Sequence, residues 1–135
     1  MGEAIHTSTF LGHPVGCAMA LANIEELKRL RLLQTSASKS KVLLDLLTSL
    51  SSDYLRLAVR GVGLMAGVEL SHRDGAPATA ESLVIIKRLL HEGFIFLPEG
   101  EHANVIAFTP PLTITERELR QSVAALGNAL QVVGN

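Results

Sequence analysis

The sequence contains few of the residues that mark the specialised classes of protein. It has one cysteine, Cys17, which cannot form an internal disulfide, and it has no Cys/His cluster with the spacing of a structural zinc site. Twelve Lys and Arg residues are balanced by thirteen Asp and Glu residues, so no basic stripe suggests a nucleic acid partner. The composition therefore predicts a cytoplasmic protein that binds neither a metal nor nucleic acid.

Long apolar runs are also missing. The most apolar early stretch, residues 14–24, is well short of the roughly 20 residues that span a bilayer. No basic segment precedes it, so neither a signal peptide nor a membrane anchor is expected. The 135 residues are 47% hydrophobic, as in one globular domain. The mean hydropathy of +0.31 is high for that size, which indicates apolar surface that something outside this chain covers.

Apolar residues at helical spacing predict four helices. Pro14 opens the first, which is expected to run to about Leu33, and Thr35 and Ser36 are expected to cap the second. Thr79 is expected to cap the third, and a capping box of Thr115 and Glu118 opens the last. The residues expected to face the core are Leu83, Ile86, Leu89 and Leu90 in the third helix, and Leu119, Val123, Leu126, Leu130 and Val133 in the last.

Four short segments alternate or run apolar in the manner of strands. Residues 55–60 and 64–70, separated by glycines, predict an antiparallel pair, and residues 94–97 and 105–108 predict two further strands. Gly67 inside the second strand predicts a bulge or the close approach of another backbone. The fold class is thus expected to be α+β, a small, largely antiparallel sheet covered by helices and preceded by a long helix.

The residue types used in common active sites are present but not in the spacings that catalysis needs. The five histidines show no metal-ligand spacing, and Ser8 lacks the Gly-x-Ser-x-Gly setting of a hydrolase nucleophile. Gly61 and Gly63 lack the third glycine of a dinucleotide fingerprint and predict a turn. Cys17 is expected to be a buried structural thiol, the alternative being a thiol activated by a helix N-terminus. The lysines, none of which has the apolar setting of a Schiff-base lysine, are Lys28, Lys39, Lys41 and Lys87.

Residues 6–14 offer one positive signal. Hydroxyl groups in His6-Thr7-Ser8-Thr9-Phe10 lead into the N-terminus of the first helix. Hydroxyls and backbone N–H groups near a helix N-terminus hold a phosphate without a net charge on the protein. The alternative is that Ser8 and Thr9 merely satisfy the backbone of the loop.

Three motifs in order resemble class III pyridoxal-phosphate-dependent aminotransferases. The first is His6-Thr7-Ser8-Thr9-Phe10, followed by Gly12-His13-Pro14 and the alanine-rich start of the helix. The second spans residues 59–70 and contains Arg60-Gly61-Val62-Gly63-Leu64-Met65, and the third is Phe108-Thr109-Pro110-Pro111-Leu112-Thr113-Ile114-Thr115. The resemblance covers nearly the whole chain.

The resemblance implies that this is the C-terminal part of a transaminase that moves an amino group from an amine or amino acid to a 2-oxo acid. Residues 1–34 would be the end of the cofactor domain and the interdomain helix, and residues 35–135 the small domain. The resemblance further implies that the lysine which binds pyridoxal 5′-phosphate precedes this segment. The chain alone is therefore expected to be inactive and to hold no catalytic residue.

Family position also implies a role for Thr9, with Ser8 beside it, in binding the cofactor phosphate of a partner subunit, so a homodimer or higher oligomer is expected. Ala107 stands where family members that use glutamate often carry an arginine for a substrate carboxylate. Arg60 is the nearest substitute, but its expected role is to pin the strand pair. The alternative function is a stand-alone, truncated and non-catalytic domain that self-associates through its exposed alanine-rich helix or binds another protein.

Overall fold

The computed structural model describes residues 10–133, and they form four helices and four strands. The helices are α1 (Pro14–Arg29), α2 (Leu32–Thr48), α3 (Thr79–His91) and α4 (Glu116–Val132). The strands are β1 (Arg56–Val62), β2 (Met65–Ser71), β3 (Leu97–Glu99) and β4 (Val105–Phe108). They make one antiparallel sheet in the order β1-β2-β4-β3, which confirms the predicted α+β class.

The chain divides into two compact units, Met1–Leu33 and Gln34–Asn135. The first contains α1, in which no residue is buried. The alanine-rich start of that helix carries no charge from Pro14 to Ile24. Cys17, expected to be buried, is exposed, as are the other residues in the first half of this helix.

The second unit holds the hydrophobic core. Side chains alternate along the strands, so Val68 and Leu70 of β2 and Ile106 of β4 point to one face of the sheet and are fully buried. Helices α2, α3 and α4 bury that face, which we call the inner face. The helical residues of this core that have no exposed surface are Leu43, Leu47, Ile85, Leu89, Leu119, Leu126, Ala129 and Leu130.

The last helix forms as predicted. Thr115 is its N-cap, and the Thr115 hydroxyl accepts a hydrogen bond from the Glu118 amide at 3.2 Å. The Glu118 carboxylate in turn accepts from the Thr115 amide at 2.8 Å, which completes the capping box. Hydrogen bonding to Thr115 also holds the pKa of the Glu118 carboxyl below its ordinary value.

The junction of the first two helices was predicted wrongly. Helix α1 ends at Arg29 and α2 begins at Leu32, so Thr35 and Ser36 lie inside α2 and do not cap it. The break is made by Arg31, whose φ of +50° lies in the left-handed region and cannot continue a helix. No glycine or proline marks it in the sequence.

Two predictions for α3 are also wrong. The buried residues are Ser82, Ile85 and Leu89, whereas Leu83 and Leu90 are exposed. Leu89 is buried as predicted, and Ser82 and Ile85 share its face at the spacing of i−7 and i−4, so Leu83 and Leu90 turn toward solvent although they are more apolar than Ser82. Thr79 does not cap the helix, because its hydroxyl donates to the His102 carbonyl at 2.6 Å.

The third strand starts later than predicted, at Leu97. The Phe94 amide donates to the Leu89 carbonyl at the end of α3, and the Phe96 ring packs edge-on against Phe108 at 4.8 Å between centroids. Phe94 and Phe96 therefore pack against the core, and the strand ladder begins only after them. Pro98 fits the strand because β3 lies at an edge of the sheet, where a missing N–H costs no ladder bond.

Gly61 lies within β1, next to the predicted turn at Gly63. A Cβ atom at Gly61 would lie 2.7 Å from the Ala66 Cβ and 2.8 Å from the Met65 carbonyl oxygen. At Gly67 the β1–β2 register is uninterrupted, so there is no bulge, and the close approach is that of the Val105 side chain at 2.9 Å. Backbone atoms cannot yield as a side chain does, so Gly61 is the more constrained of the two glycines.

We predict that Gly61→Ala lowers the free energy of unfolding by about 1–3 kcal/mol, because it overpacks the β1–β2 pair against backbone atoms. Urea unfolding followed by circular dichroism measures this change. Gly16→Ala is the matched control, since a Cβ there meets no atom within 4 Å. Equal stability of Gly61→Ala and the unaltered chain would show that this close approach does not constrain the fold.

Candidate functional site

The segment that leads into α1 is a tight turn closed by a capping histidine. Gly12 has a φ of +74°, and the His13 amide donates to the Phe10 carbonyl at 3.1 Å. His13 is the N-cap, and its Nδ1 accepts a long hydrogen bond of 3.5 Å from the Gly16 amide. Pro14 follows at the first helical position, where no N–H is needed.

No acidic residue lies in the first turn of α1. The partial positive charge of the helix N-terminus is therefore not offset by a carboxylate of its own, which favours an anion near this turn. The two hydroxyl residues predicted to bind a phosphate, Ser8 and Thr9, lie outside the described residues. Thr9 directly precedes Phe10 in the chain, so the predicted contact stays a prediction.

A second group of residues lies on the outer face of the sheet, the face opposite the helices. The strand registers place Arg60, Gly67, Ala107 and Leu97 in one row across β1, β2, β4 and β3. Ala107 thus has Gly67 and Leu97 as its cross-strand neighbours. The centre of this outer row carries no charge and little side-chain volume.

Arg60, at the end of the outer row, is engaged within the sheet. Its Nη1 lies 2.5 Å from Oε2 of Glu69 on the neighbouring strand. The hydrogen bond from Arg60 holds the pKa of the Glu69 carboxyl below its ordinary value. This contact agrees with the interpretation that Arg60 pins the strand pair, and a substrate carboxylate would have to share the guanidinium with Glu69.

A cleft of about 380 Å³ opens where β3 and β4 lead to the Pro-Pro segment before α4. Ala107, Thr109 and Ser122 line it together with the aromatic pair of Phe96 and Phe108. The Pro-Pro segment is tied to α2, because the Lys39 ammonium donates to the Ile114 carbonyl. The cleft is mostly apolar, with hydroxyls as its polar side-chain groups.

The family model of class III aminotransferases matches residues 1–130. The chain belongs to the class III aminotransferase family. It is 35% identical over 127 residues to an acetylornithine aminotransferase of Synechocystis, a match that covers 93% of this chain and 28% of the relative. It is 30% identical over 128 residues to an omega-aminotransferase of Caulobacter vibrioides, covering 95% of this chain and 28% of the relative. The chain thus spans little more than a quarter of the length of these relatives.

Solved structures agree with this assignment. A Bacillus anthracis aminotransferase superposes with a TM-score of 0.82 at 28% identity, covering 96% of this chain and 31% of that one. A transaminase of the marine bacterium Virgibacillus gives a TM-score of 0.80 at 29% identity, with 96% and 31% coverage. The resemblance drawn from the three motifs is confirmed, as is the predicted fold. Membership implies pyridoxal 5′-phosphate as the cofactor of a full-length aminotransferase.

The lysines of this aminotransferase segment do not occupy apolar sites. Lys28, Lys41 and Lys87 are exposed, and the half-buried Lys39 is bonded to a backbone carbonyl. A Schiff-base lysine instead needs an apolar site or a neighbouring cation to lower its pKa. Within residues 10–133, no three His, Cys, Asp or Glu side chains form a group that could hold a metal, and no helix is long and apolar enough to cross a membrane.

Sequence reasoning missed three contacts that shape these sites. Glu69 partners Arg60, Lys39 ties α2 to the Pro-Pro segment, and the buried Asn104 donates to the Leu70 carbonyl at 2.8 Å. Alternation along β1 and β2 contained a signal for the first, because Arg60 and Glu69 are charged residues on paired strands. The other two join positions 75 and 34 residues apart, which no local pattern reveals.

We predict that Arg60→Ala raises the pKa of the Glu69 carboxyl toward its ordinary value, because the charge-assisted hydrogen bond is lost. A carbon-detected NMR titration of the Glu69 carboxyl measures this shift. Arg56→Ala, which removes a cation from the same strand and face, is the control and should leave the pKa of the Glu69 carboxyl unchanged. An unchanged Glu69 pKa in Arg60→Ala would contradict the assigned pairing.

Proposed function

We propose that this chain is the C-terminal part of a pyridoxal-phosphate-dependent transaminase that moves an amino group from an amine or amino acid to a 2-oxo acid. The observation that carries the proposal is the family match over residues 1–130, by a chain that corresponds to little more than a quarter of its relatives. Two of those relatives are named for aminotransferase activity. Residues 1–34 would end the cofactor domain and form the interdomain helix, and residues 35–135 would be the small domain.

In this proposal Thr9, with Ser8 beside it, binds the cofactor phosphate of a partner subunit in a homodimer or higher oligomer. The support comes from the neighbouring residues. The turn at Gly12 leads into the N-terminus of α1, and the first turn of α1 has no acidic residue. The partial positive charge of this helix N-terminus therefore suits a phosphate. The hydroxyls would add hydrogen bonds to the same anion, with no need for a cationic side chain.

Pyridoxal phosphate supplies an electron sink to a bound amino group, and it needs a lysine and a partner for its ring nitrogen. Neither is assigned to this chain. Lys28, Lys41 and Lys87 are exposed to solvent, and the Lys39 ammonium donates a hydrogen bond to the Ile114 carbonyl. The chain alone is therefore proposed to be inactive, with no catalytic residue and no stably bound cofactor.

The outer row limits the amino acceptor. Ala107 cannot grip a carboxylate, its neighbours Gly67 and Leu97 are uncharged, and Arg60 is paired with Glu69. A dicarboxylic acceptor would therefore need an arginine from outside this chain, or the acceptor is a monocarboxylic oxo acid such as pyruvate. We place the enzyme in the cytoplasm, in keeping with its lone cysteine.

A second candidate function has its own support. Helix α1 exposes Val15, Met19 and Leu21 by 60–69%, and it has no buried residue. The first part of this helix, residues 14–24, carries no charged side chain on any side, and such an apolar surface is normally covered. If the chain acts without the rest of an aminotransferase, it would be a truncated, non-catalytic domain that self-associates or binds another protein.

We predict that Thr9→Ala, made in the longer enzyme that carries this segment, weakens retention of pyridoxal phosphate about tenfold or more. The reason is the loss of a hydrogen bond to a charged group. Equilibrium dialysis with detection of cofactor absorbance measures the change. Thr7→Ala, in the same hydroxyl-rich segment, is the matched control and should bind the cofactor normally. Equal retention of the cofactor by both variants would contradict the proposal that Thr9 binds the phosphate.

A further inference from the structure

The two edges of the sheet differ in how well they are protected against pairing with another strand. Edge strand β3 has three residues and contains Pro98, which cannot donate a ladder hydrogen bond. Edge strand β1 has seven residues, Arg56–Val62, with no proline and no bulge in its pairing with β2. A long, regular edge with unpaired backbone groups is a template for a further strand.

The hairpin turn determines which backbone groups of β1 face outward. Val62 pairs with Met65 across a two-residue turn, and Gly63 has the φ of +61° that a type II′ turn needs at its first position. The pair that closes such a turn is hydrogen-bonded, and bonded pairs then alternate along the ladder. The even-numbered residues of β1 therefore bond to β2, and the N–H and C=O groups of Leu57, Val59 and Gly61 point to the open edge.

We propose that β1 pairs antiparallel with β1 of a second copy of this chain, centred on Val59. In this register Leu57 lies opposite Gly61 of the second copy, and Val59 lies opposite its own equivalent. All three residues with outward backbone groups are then matched, with two hydrogen bonds at each pair. The two four-stranded sheets become one continuous sheet of two copies around a two-fold axis.

The charges on β1 select this register. Arg56 and Arg60 lie on the outer face of the strand, and only residues on the same face can stand opposite each other. A centre moved by one residue to Ala58 sets Arg56 against Arg60 of the second copy, and a centre at Arg60 sets that arginine against its own equivalent. Centring on Val59 places Arg56 opposite Val62 and Arg60 opposite the exposed Ala58. The register centred on Val59 thus pairs all seven residues of β1 and places no arginine directly opposite another.

The area limits the strength of the pairing. One seven-residue ladder lies at the small end of specific interfaces, so the dissociation constant should be on the order of 10–1000 µM. The half-buried Leu57 and Val59 add apolar contact on the inner face. This proposal names a second surface for self-association, besides the exposed start of α1, and does not depend on the aminotransferase role, which the cofactor measurement on Thr9 tests separately.

The experiment compares Ala58→Glu with Ala58→Lys in the 135-residue chain by sedimentation velocity over a concentration series up to about 1 mM. By symmetry each dimer contains two contacts between residue 58 and Arg60 of the other copy. We expect the dissociation constant to fall about fivefold with glutamate and to rise about fivefold with lysine. Leu97→Lys, on the outer face of the opposite edge strand, is the control and should change it less than twofold.

An effect of the Ala58 variants on folding can be told apart from an effect on association. Residue 58 lies opposite Glu69 in its own sheet, so lysine there favours the fold and glutamate disfavours it. The expected effects on association have the opposite order. As a second readout, exchange of the Leu57, Val59 and Gly61 amides should slow as concentration rises. A chain that stays monomeric at 1 mM, or a dimer indifferent to both Ala58 variants, overturns the proposal.

Discussion

The structure depends on the burial of one face of a four-stranded sheet. Val68 and Leu70 of the central strand β2 and Ile106 of β4 have no exposed surface, and helices α2 to α4 supply the apolar side chains that cover them. Because side chains alternate along a strand, this burial also fixes what points away from the helices. Ala107 and Arg60 therefore come to lie in one outer row, and the ion pair of Arg60 with Glu69 adds a side-chain contact to the ladder at the end of that row.

Much of this arrangement can be predicted from the sequence, because the core signals are local. The capping box at Thr115 and the stripe along α4 locate the last helix, and the alternation from Leu55 to Leu70 locates the hairpin. The exceptions are positions where tertiary contacts override propensity. Arg31 adopts a left-handed conformation without a glycine, and α3 turns Ser82 to the core although Leu83 is more apolar.

The candidate site was predictable in a different way. Thr9 and Ser8 were selected because they match the first motif, and both lie outside the described residues. The structural support for this site therefore comes from the turn and the helix N-terminus that follow them. The position of Ala107 before Phe108 was read from the third motif, and the ladder adds its uncharged neighbours. The pairing of Arg60 with Glu69 needed the register, since only the paired strands bring residues nine apart together.

This chain has three features that bear on the proposed role in amino-group transfer. It holds a turn suited to an anion, an uncharged outer row and a well-packed small domain. Its lysines are exposed or, in the case of Lys39, committed to a backbone carbonyl. The uncharged first part of α1, in a helix without a buried residue, suits the proposal that this segment packs against another surface, either the remainder of an aminotransferase or a further protein.

The most direct test of this account is borohydride reduction of the 135-residue chain in the presence of pyridoxal phosphate, followed by peptide mapping of the pyridoxyl groups. The account predicts low, scattered labelling without a stoichiometric site, because no lysine of the chain has the apolar environment that favours covalent binding of the cofactor. A single stoichiometric adduct would contradict it and would show that the chain carries a cofactor lysine of its own. The lysines to be mapped are Lys28, Lys39, Lys41 and Lys87.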